Sequence, residues 1–132
     1  IVYSEKNFYG ASLWHPPGVK FDDSALAPTF EFIPHDRIEV VIKFFEEFEK
    51  YHPEDAWYLP FIAVDPAKQR QGIGSFLLKD ALQMIDKKND RAYLEASNEQ
   101  NKALYERHGF VEIGRVQFED SPPAFPMIRD PR

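Results

Sequence analysis

The sequence predicts one α/β domain built as a single mixed sheet covered by helices. Three observations predict it. Strand-like apolar runs and stretches of helical period succeed each other along the chain, in the order β-β-(loop, α)-β-α-β-α-β-β. Turn-forming residues separate them, with no internal repeat, low-complexity tract or interdomain linker. The 132 residues are 43% apolar and 15% aromatic, with twelve Phe, which is material for one core that buries roughly two-thirds of the unfolded chain's surface.

Taken in order, Ile1 to Tyr3 and Phe8 to Trp14 are β-prone runs around the polar turn Ser4-Glu5-Lys6-Asn7, so a hairpin is expected, stopped by His15-Pro16-Pro17-Gly18. Val19 to Pro34 has no clean period and reads as a surface excursion. Asp36 and Glu39 have capping-box spacing and predict a helix start. Ile38, Val41, Ile42, Phe45 and Phe48 then recur at helical spacing to about Tyr51, as a stripe expected to face the core. Trp57 to Val64 suits a central strand buried on both faces, and Pro60 within it predicts a bulge because proline has no N–H for the ladder.

After Asp65-Pro66, Gly74 to Lys87 reads as a helix with Leu77, Leu78, Ala81, Leu82 and Ile85 inward. Arg91 to Ala96 is a strand. Ser97 or Asn98 then caps a helix that closes at Gly109. Val111 to Phe118 and Ala124 to Ile128 are the final strands. Trp14, Trp57 and Tyr58 are expected to pack in the core.

Composition narrows the function. There is no cysteine, which removes disulfides, thiolate metal sites and a cysteine acyl-enzyme. The formal net charge is -6, and the basic residues are scattered, so no nucleic-acid partner is expected. No apolar run approaches the roughly 20 residues needed to cross a bilayer. The opening IVYSEKNFYG lacks the charge and apolar segments of an export signal. The expectation is a cytoplasmic protein with no membrane partner. Because the chain opens on Ile inside a strand, further natural residues are expected ahead of it. His15, His35, His52 and His108 have no metal-ligand spacing, and no metal is assigned.

The strongest chemical signal is Gln69-Arg70-Gln71-Gly72-Ile73-Gly74 between a buried strand and an amphipathic helix. Glycines there let backbone approach a ligand closely, and free N–H groups at a helix start attract phosphate oxygens. The same residues also serve plain tight turns. The segment is neither a Walker A loop, for want of Gly-Lys-Ser/Thr, nor the dinucleotide fingerprint, which needs a further glycine.

Val64-Asp65-Pro66 followed by Gln69-x-x-Gly72-x-Gly74 resembles the acetyl-CoA-binding segment of the GNAT superfamily of N-acetyltransferases. Asn98 and Asn101 ahead of Leu104-Tyr105-Glu106-Arg107-His108-Gly109-Phe110 resemble that superfamily's later helix. The resemblance spans about Tyr9 to Arg129. It implies a mainly antiparallel, N-terminally incomplete GNAT (acyl-CoA N-acyltransferase) fold, with 1–132 as one catalytic domain and 19–54 as a variable loop-plus-helix insert.

It also implies acetyl-CoA as cosubstrate. Main-chain groups of Phe61, Ile62, Ala63 and Val64 would meet the pantetheine arm, with the N–H of Ile62 near a developing oxyanion. Backbone N–H groups of Gln71, Gly72, Ile73, Gly74 and Ser75 would hold the pyrophosphate, with Gln69 in the same bend and Arg70 or Lys68 adding charge. Asn98 and Asn101 contact CoA or cap their helix. Tyr105 matches the position of the general acid for the departing sulfur, and Glu95 is the candidate base for the amine proton. His52 and Phe125-Pro126-Met127 are candidates for the acceptor mouth.

The function so implied is transfer of an acetyl group to a primary amine, with a small molecule expected as the acceptor, through a direct ternary complex. The alternative is a non-catalytic acyl-CoA-binding or interaction module of the same fold. A homodimer is left open.

Overall fold

In the computed structural model, which describes residues 1–19, 24, 28 and 31–132, strands and helices alternate as the sequence order requires. The strands are β1 (Val2–Ser4), β2 (Gly10–His15), β3 (Ala56–Val64), β4 (Arg91–Ala96), β5 (Val111–Glu112) and β6 (Phe125–Arg129). The helices are α1 (Ile38–Glu49), α2 (Ile73–Lys87) and α3 (Glu99–Arg107). Among the described residues they form one six-stranded sheet in the order β1-β2-β3-β4-β6-β5, antiparallel except for β3 beside β4. Most of the excursion expected over Val19 to Pro34 lies outside the described residues.

The parallel pair governs everything that follows. β3 and β4 are joined only at Ala56↔Arg91, Trp57↔Ala92 and Tyr58↔Tyr93. Beyond that row β3 continues against β2 to Val64 and β4 against β6 to Ala96. The parting coincides with the bulge expected at Pro60: Leu13 pairs with Phe61 but His15 with Tyr58, so Leu59 and Pro60 together oppose Trp14.

One face of the sheet is covered by α2. Leu77, Leu78, Ala81, Leu82 and Ile85 are all buried, as their spacing predicts. Their core partners include Trp14, Trp57, Leu94, Phe125 and Met127. Phe125 and Met127 are therefore core residues and do not line an acceptor mouth. Gly10 makes the fit between β2 and α2 close, since a Cβ there would stand 2.8 Å from Ile73 Cγ2.

Three local expectations fail for identifiable reasons. Asp36 lies inside a 3-10 turn, His35–Arg37, and α1 starts from Arg37 without a side-chain cap, so no capping box forms. Glu39 instead pairs with Lys43 one turn on, at 2.8 Å. The stripe of α1 is not core: no residue of this helix is fully buried, and Ile42 and Phe45 are about half exposed (49% and 52%). The strand expected over Val111 to Phe118 pairs only at Val111–Glu112, with a single bridge further on from Val116 to Ala124. Between them Gly114 sits against the Tyr51 ring, where any Cβ would collide.

Candidate active site

The bend after β3 is shaped residue by residue. The Asp65 carboxylate accepts the Ala67 N–H at 2.8 Å and closes a 3-10 turn, Pro66–Lys68. Gln69 Nε2 donates to the Val64 carbonyl at 3.2 Å, tying the loop to the strand end. Arg70 and Gly72 both adopt left-handed backbone, φ 59° and 86°, which is cheap only for the glycine. Gly72 is the N-cap of α2 and brings no side-chain acceptor. The first helical bond, Phe76 N–H to the Gly72 carbonyl, leaves the N–H groups ahead of it outside the helical ladder.

Opposite this bend stands α3. Asn98 caps it, its Oδ1 accepting the Asn101 N–H at 2.8 Å. Asn101 Nδ2 donates to Ser97 Oγ at 3.1 Å. Asn98 thus performs the capping role its position predicts.

Between bend and helix runs a groove of about 760 Å³. Ile62, Ala63 and Val64 form its floor from the parted end of β3. Gln69, Arg70, Gly72, Ile73, Gly74 and Ser75 form one wall, and Asn98, Asn101 and Tyr105 the other. Gln71 does not line it. Three lining residues were not anticipated: Gln100, Leu104 and Arg107. They follow one another at helical spacing beside Asn101 and Tyr105, so extending the α3 face by one row would have found them.

Tyr105 is 5% exposed, with its ring edge-on to Phe110 at 6.0 Å. Burial alone pushes its phenol up to about 12, so it stays protonated and remains a donor at neutral pH. Under the same wall Ser75 Oγ lies 2.7 Å from His108 Nε2. Burial and the neighbouring Arg107, Arg129 and Lys79 hold His108 below the ordinary histidine value.

Glu95 is not in the groove. Alternation along β4 points Leu94 and Ala96 toward α2 and α3 and sends Tyr93 and Glu95 to the other face. Glu95 lies just past the last row that joins β3 to β4, so it borders the same parting from the other side. Tyr58 Oη donates to Glu95 Oε2 at 2.9 Å. The Tyr93 hydroxyl acts on Glu95 in the same sense but falls short of hydrogen-bond geometry and is otherwise unpartnered among the described residues. Burial pushes Glu95 up to about 7 against the pull of these hydroxyls, and the Glu49 carboxylate adds to the rise. His52 packs on Tyr58 and Tyr93, with ring centroids 4.4 and 5.1 Å away. Burial lowers its pKa, with Glu49 opposing and His15 adding to the fall.

The bend at Gln69 to Gly74 and Tyr105, the two motifs on which the resemblance rests, line one groove, and similarity to known proteins bears on the family. Residues 45–130 match the acetyltransferase (GNAT) domain family. The chain belongs to this GNAT acetyltransferase family. An uncharacterised N-acetyltransferase of Schizosaccharomyces pombe is 28% identical over 148 residues, covering 99% of this chain and 60% of the relative. A Corynebacterium glutamicum structure described as histone acetyltransferase HPA2 and related acetyltransferase superposes with a TM-score of 0.66 at 25% identity, covering 98% of this chain and 62% of its own. A mosquito arylalkylamine N-acetyltransferase-like protein has the same fold, with a TM-score of 0.63, 16% identity and coverage of 93% and 68%. The GNAT chain thus spans a little under two-thirds of the length of the first two.

Among the described residues of this GNAT chain no cluster of His, Asp or Glu could hold a metal ion, and no helix is long and apolar enough to cross a membrane.

Proposed function

We propose that this GNAT chain transfers the acetyl group of acetyl-CoA to a primary amine by direct attack in a ternary complex. One observation carries the reading: the uncapped start of α2 and the Tyr105 phenol line the same groove, at the point where β3 and β4 part. The free amides of the bend suit a diphosphate, the exposed main chain of Ile62, Ala63 and Val64 suits an amide-bearing arm, and Arg70 adds a counter-charge. A groove of about 760 Å³ is in the range of ligand-sized clefts, roughly 300–1,000 Å³.

The chemistry then divides between the two faces. An alkylamine arrives protonated, with a pKa of about 10. The small neutral fraction of the amine is the nucleophile, and Glu95, at about 7, takes the proton that the nitrogen sheds once bonding to the carbonyl carbon has made it acidic. The neutral nitrogen attacks the thioester carbonyl, and the Ile62 N–H beside the bulge supports the oxyanion. When the C–S bond breaks, the sulfur leaves as a thiolate whose conjugate acid lies near 8.5. With the Tyr105 phenol at about 12, full proton transfer to that sulfur runs uphill. Tyr105 therefore serves as a hydrogen-bond donor to the developing charge, and water completes the protonation.

On this reading residues 1–132 belong to one N-acetyltransferase domain, with 19–54 as a variable loop-plus-helix insert within it. The acceptor is taken to be a small amine, and the Glu49 carboxylate, which acts on Glu95 among the described residues, suits an amine that arrives as a cation. The test is release of CoA thiol from acetyl-CoA across a panel of amines, with initial rates varied in both substrates. Intersecting double-reciprocal lines are expected. Tight CoA binding by calorimetry with no thiol release from any amine would mean a binding module instead.

A further inference from the structure

We propose that Tyr58 is a positioning residue for this reaction: its hydroxyl, bonded to Glu95 Oε2, holds the carboxylate ionised and oriented at the parting of the strands when an amine arrives. The inference rests on Glu95 being the proton acceptor proposed above. Tyr58 reaches Glu95 because of register. It is the last residue of β3 joined to β4, directly opposite Tyr93, and Glu95 lies two residues further along β4 on the same face. The bulge at Leu59 and Pro60 follows at once, so Tyr58 is anchored in the ladder while the strands part just beyond it. Its ring is fixed by His52 at 4.4 Å and Tyr93 at 5.9 Å, with His15 at 6.5 Å.

The groups facing Glu95 show why a hydroxyl is needed there. From α1 comes Glu49, whose charge opposes ionisation. His52 comes from the segment between α1 and β3 and is biased to the neutral form, while His15 comes from β2. The neighbour on β6 is Pro126, which has nothing to donate. Burial and Glu49 both favour the protonated acid, and among the described residues the groups that counter them include no lysine or arginine. Hydrogen bonds to the carboxylate must do so. Among the described residues the one from Tyr58, at 2.9 Å, is the side-chain bond with full geometry, the Tyr93 hydroxyl having no partner that meets it, and the Glu95 backbone amide adds a smaller pull.

Loss of the Tyr58 hydroxyl should therefore move a titration, which loss of packing alone would not do. In Tyr58→Phe the acidic limb of kcat/KM should shift upward by roughly one pH unit, with activity falling near neutral pH and recovering in alkali. Substituting 3-fluorotyrosine at position 58, a stronger donor of the same shape, should shift the limb downward, and it serves if Tyr58→Phe folds poorly. Glu95→Gln run in parallel assigns the limb. If the limb survives in Glu95→Gln, the base assignment is wrong and the Tyr58 proposal falls with it. If Glu95→Gln removes the limb but neither change at Tyr58 moves it, the base stands and the positioning role is overturned. The same titration followed on the Glu95 side-chain carboxyl by ¹³C NMR in wild type and Tyr58→Phe should show the same upward shift without any substrate, and an unchanged value there also overturns the proposal.

Discussion

Asp86 and Glu95 are both carboxylates drawn into the fold, and the sheet treats them in opposite ways. Asp86, near the end of α2, receives both guanidinium nitrogens of the buried Arg129 at 2.7 and 2.8 Å and the Arg132 N–H at 3.0 Å. Arg129 Nε also donates to the His108 carbonyl at 2.9 Å, so one ion pair ties the ends of α2, α3 and β6 together. Hydrogen bonding to Arg129 is the main reason Asp86 is held below the ordinary carboxylate range. Glu95 has no such cation among the described residues, and burial raises it. The face that carries the groove is thus built for stability, and the face that carries Glu95 holds a charge it could hold more cheaply as an acid.

The largest effect expected is on the groove face. Asp86→Asn leaves the Arg129 guanidinium, whose side chain is 4% exposed, without its counter-charge. Denaturant melts should show a loss of roughly 3 kcal/mol. The pH dependence has a definite sign. A lowered carboxylate contributes stability above its unfolded value near 3.8 and loses it as pH falls through the lowered folded value, so wild type should lose this advantage only in acid below about pH 4. A small loss at neutral pH would mean that the pair is solvated, and the contrast between the faces would collapse.

The second effect has the opposite sign. Glu95 in the folded chain binds a proton that the unfolded chain has released between its ordinary value of 4.5 and about 7. Stability must therefore fall as pH rises through that window. Glu95→Gln mimics the protonated acid and should be more stable than wild type at pH 8 by roughly 2 kcal/mol, with the difference shrinking toward zero near pH 4.5. It should also be catalytically poor, by about 10²-fold or more. Equal stability of the two proteins at pH 8 would show that the carboxylate is well solvated and unsuited to the role given it.

This contrast also explains what could be read from the sequence. The groove is made of contiguous segments whose local signals agree: the period of α2, observed at Ile73–Lys87, the strand Arg91–Ala96, and the Asn98 cap each follow from neighbours in the chain. The cluster around Glu95 has no such signature. Tyr58 and Tyr93 meet through a parallel register of three residue pairs, which no window of sequence contains, and Glu49 and His52 come to them from the segment ahead of β3. Arg129 and Asp86 are 43 residues apart and join only through packing. The α1 stripe misled because helical period shows that apolar residues share a face, while burial depends on what the fold places there.

Tyr105→Phe sharpens the comparison from within the groove. If the phenol only donates a hydrogen bond to the departing sulfur, its loss should lower kcat by about tenfold, the scale of one such bond, with KM for acetyl-CoA little changed. The acidic limb assigned to Glu95 should stay where it is, because the two residues act from different faces. A loss of 10³-fold or more would mean that full proton transfer to sulfur limits the reaction.

The smallest effect isolates backbone geometry from packing. A Cβ on Gly72 would meet nothing within 4 Å, yet the residue sits at φ +86°, so Gly72→Ala pays only for strain, about 1 kcal/mol. Gly74 is helical, and a Cβ there would find Leu104 Cδ2 at 3.7 Å and Val64 Cγ2 at 3.8 Å, ordinary contacts. Gly74→Ala should therefore leave stability within about 0.5 kcal/mol of wild type. In binding, the pair should separate further. Relaxing Gly72 turns the amides at the start of α2 and should weaken CoA several-fold, whereas Gly74→Ala keeps the helix start intact and should weaken it less. If calorimetry found Gly74→Ala to be the more damaging of the two for CoA, the ligand would have to pass closest at residue 74, and the diphosphate would lie further along α2 than the bend at Gly72 implies.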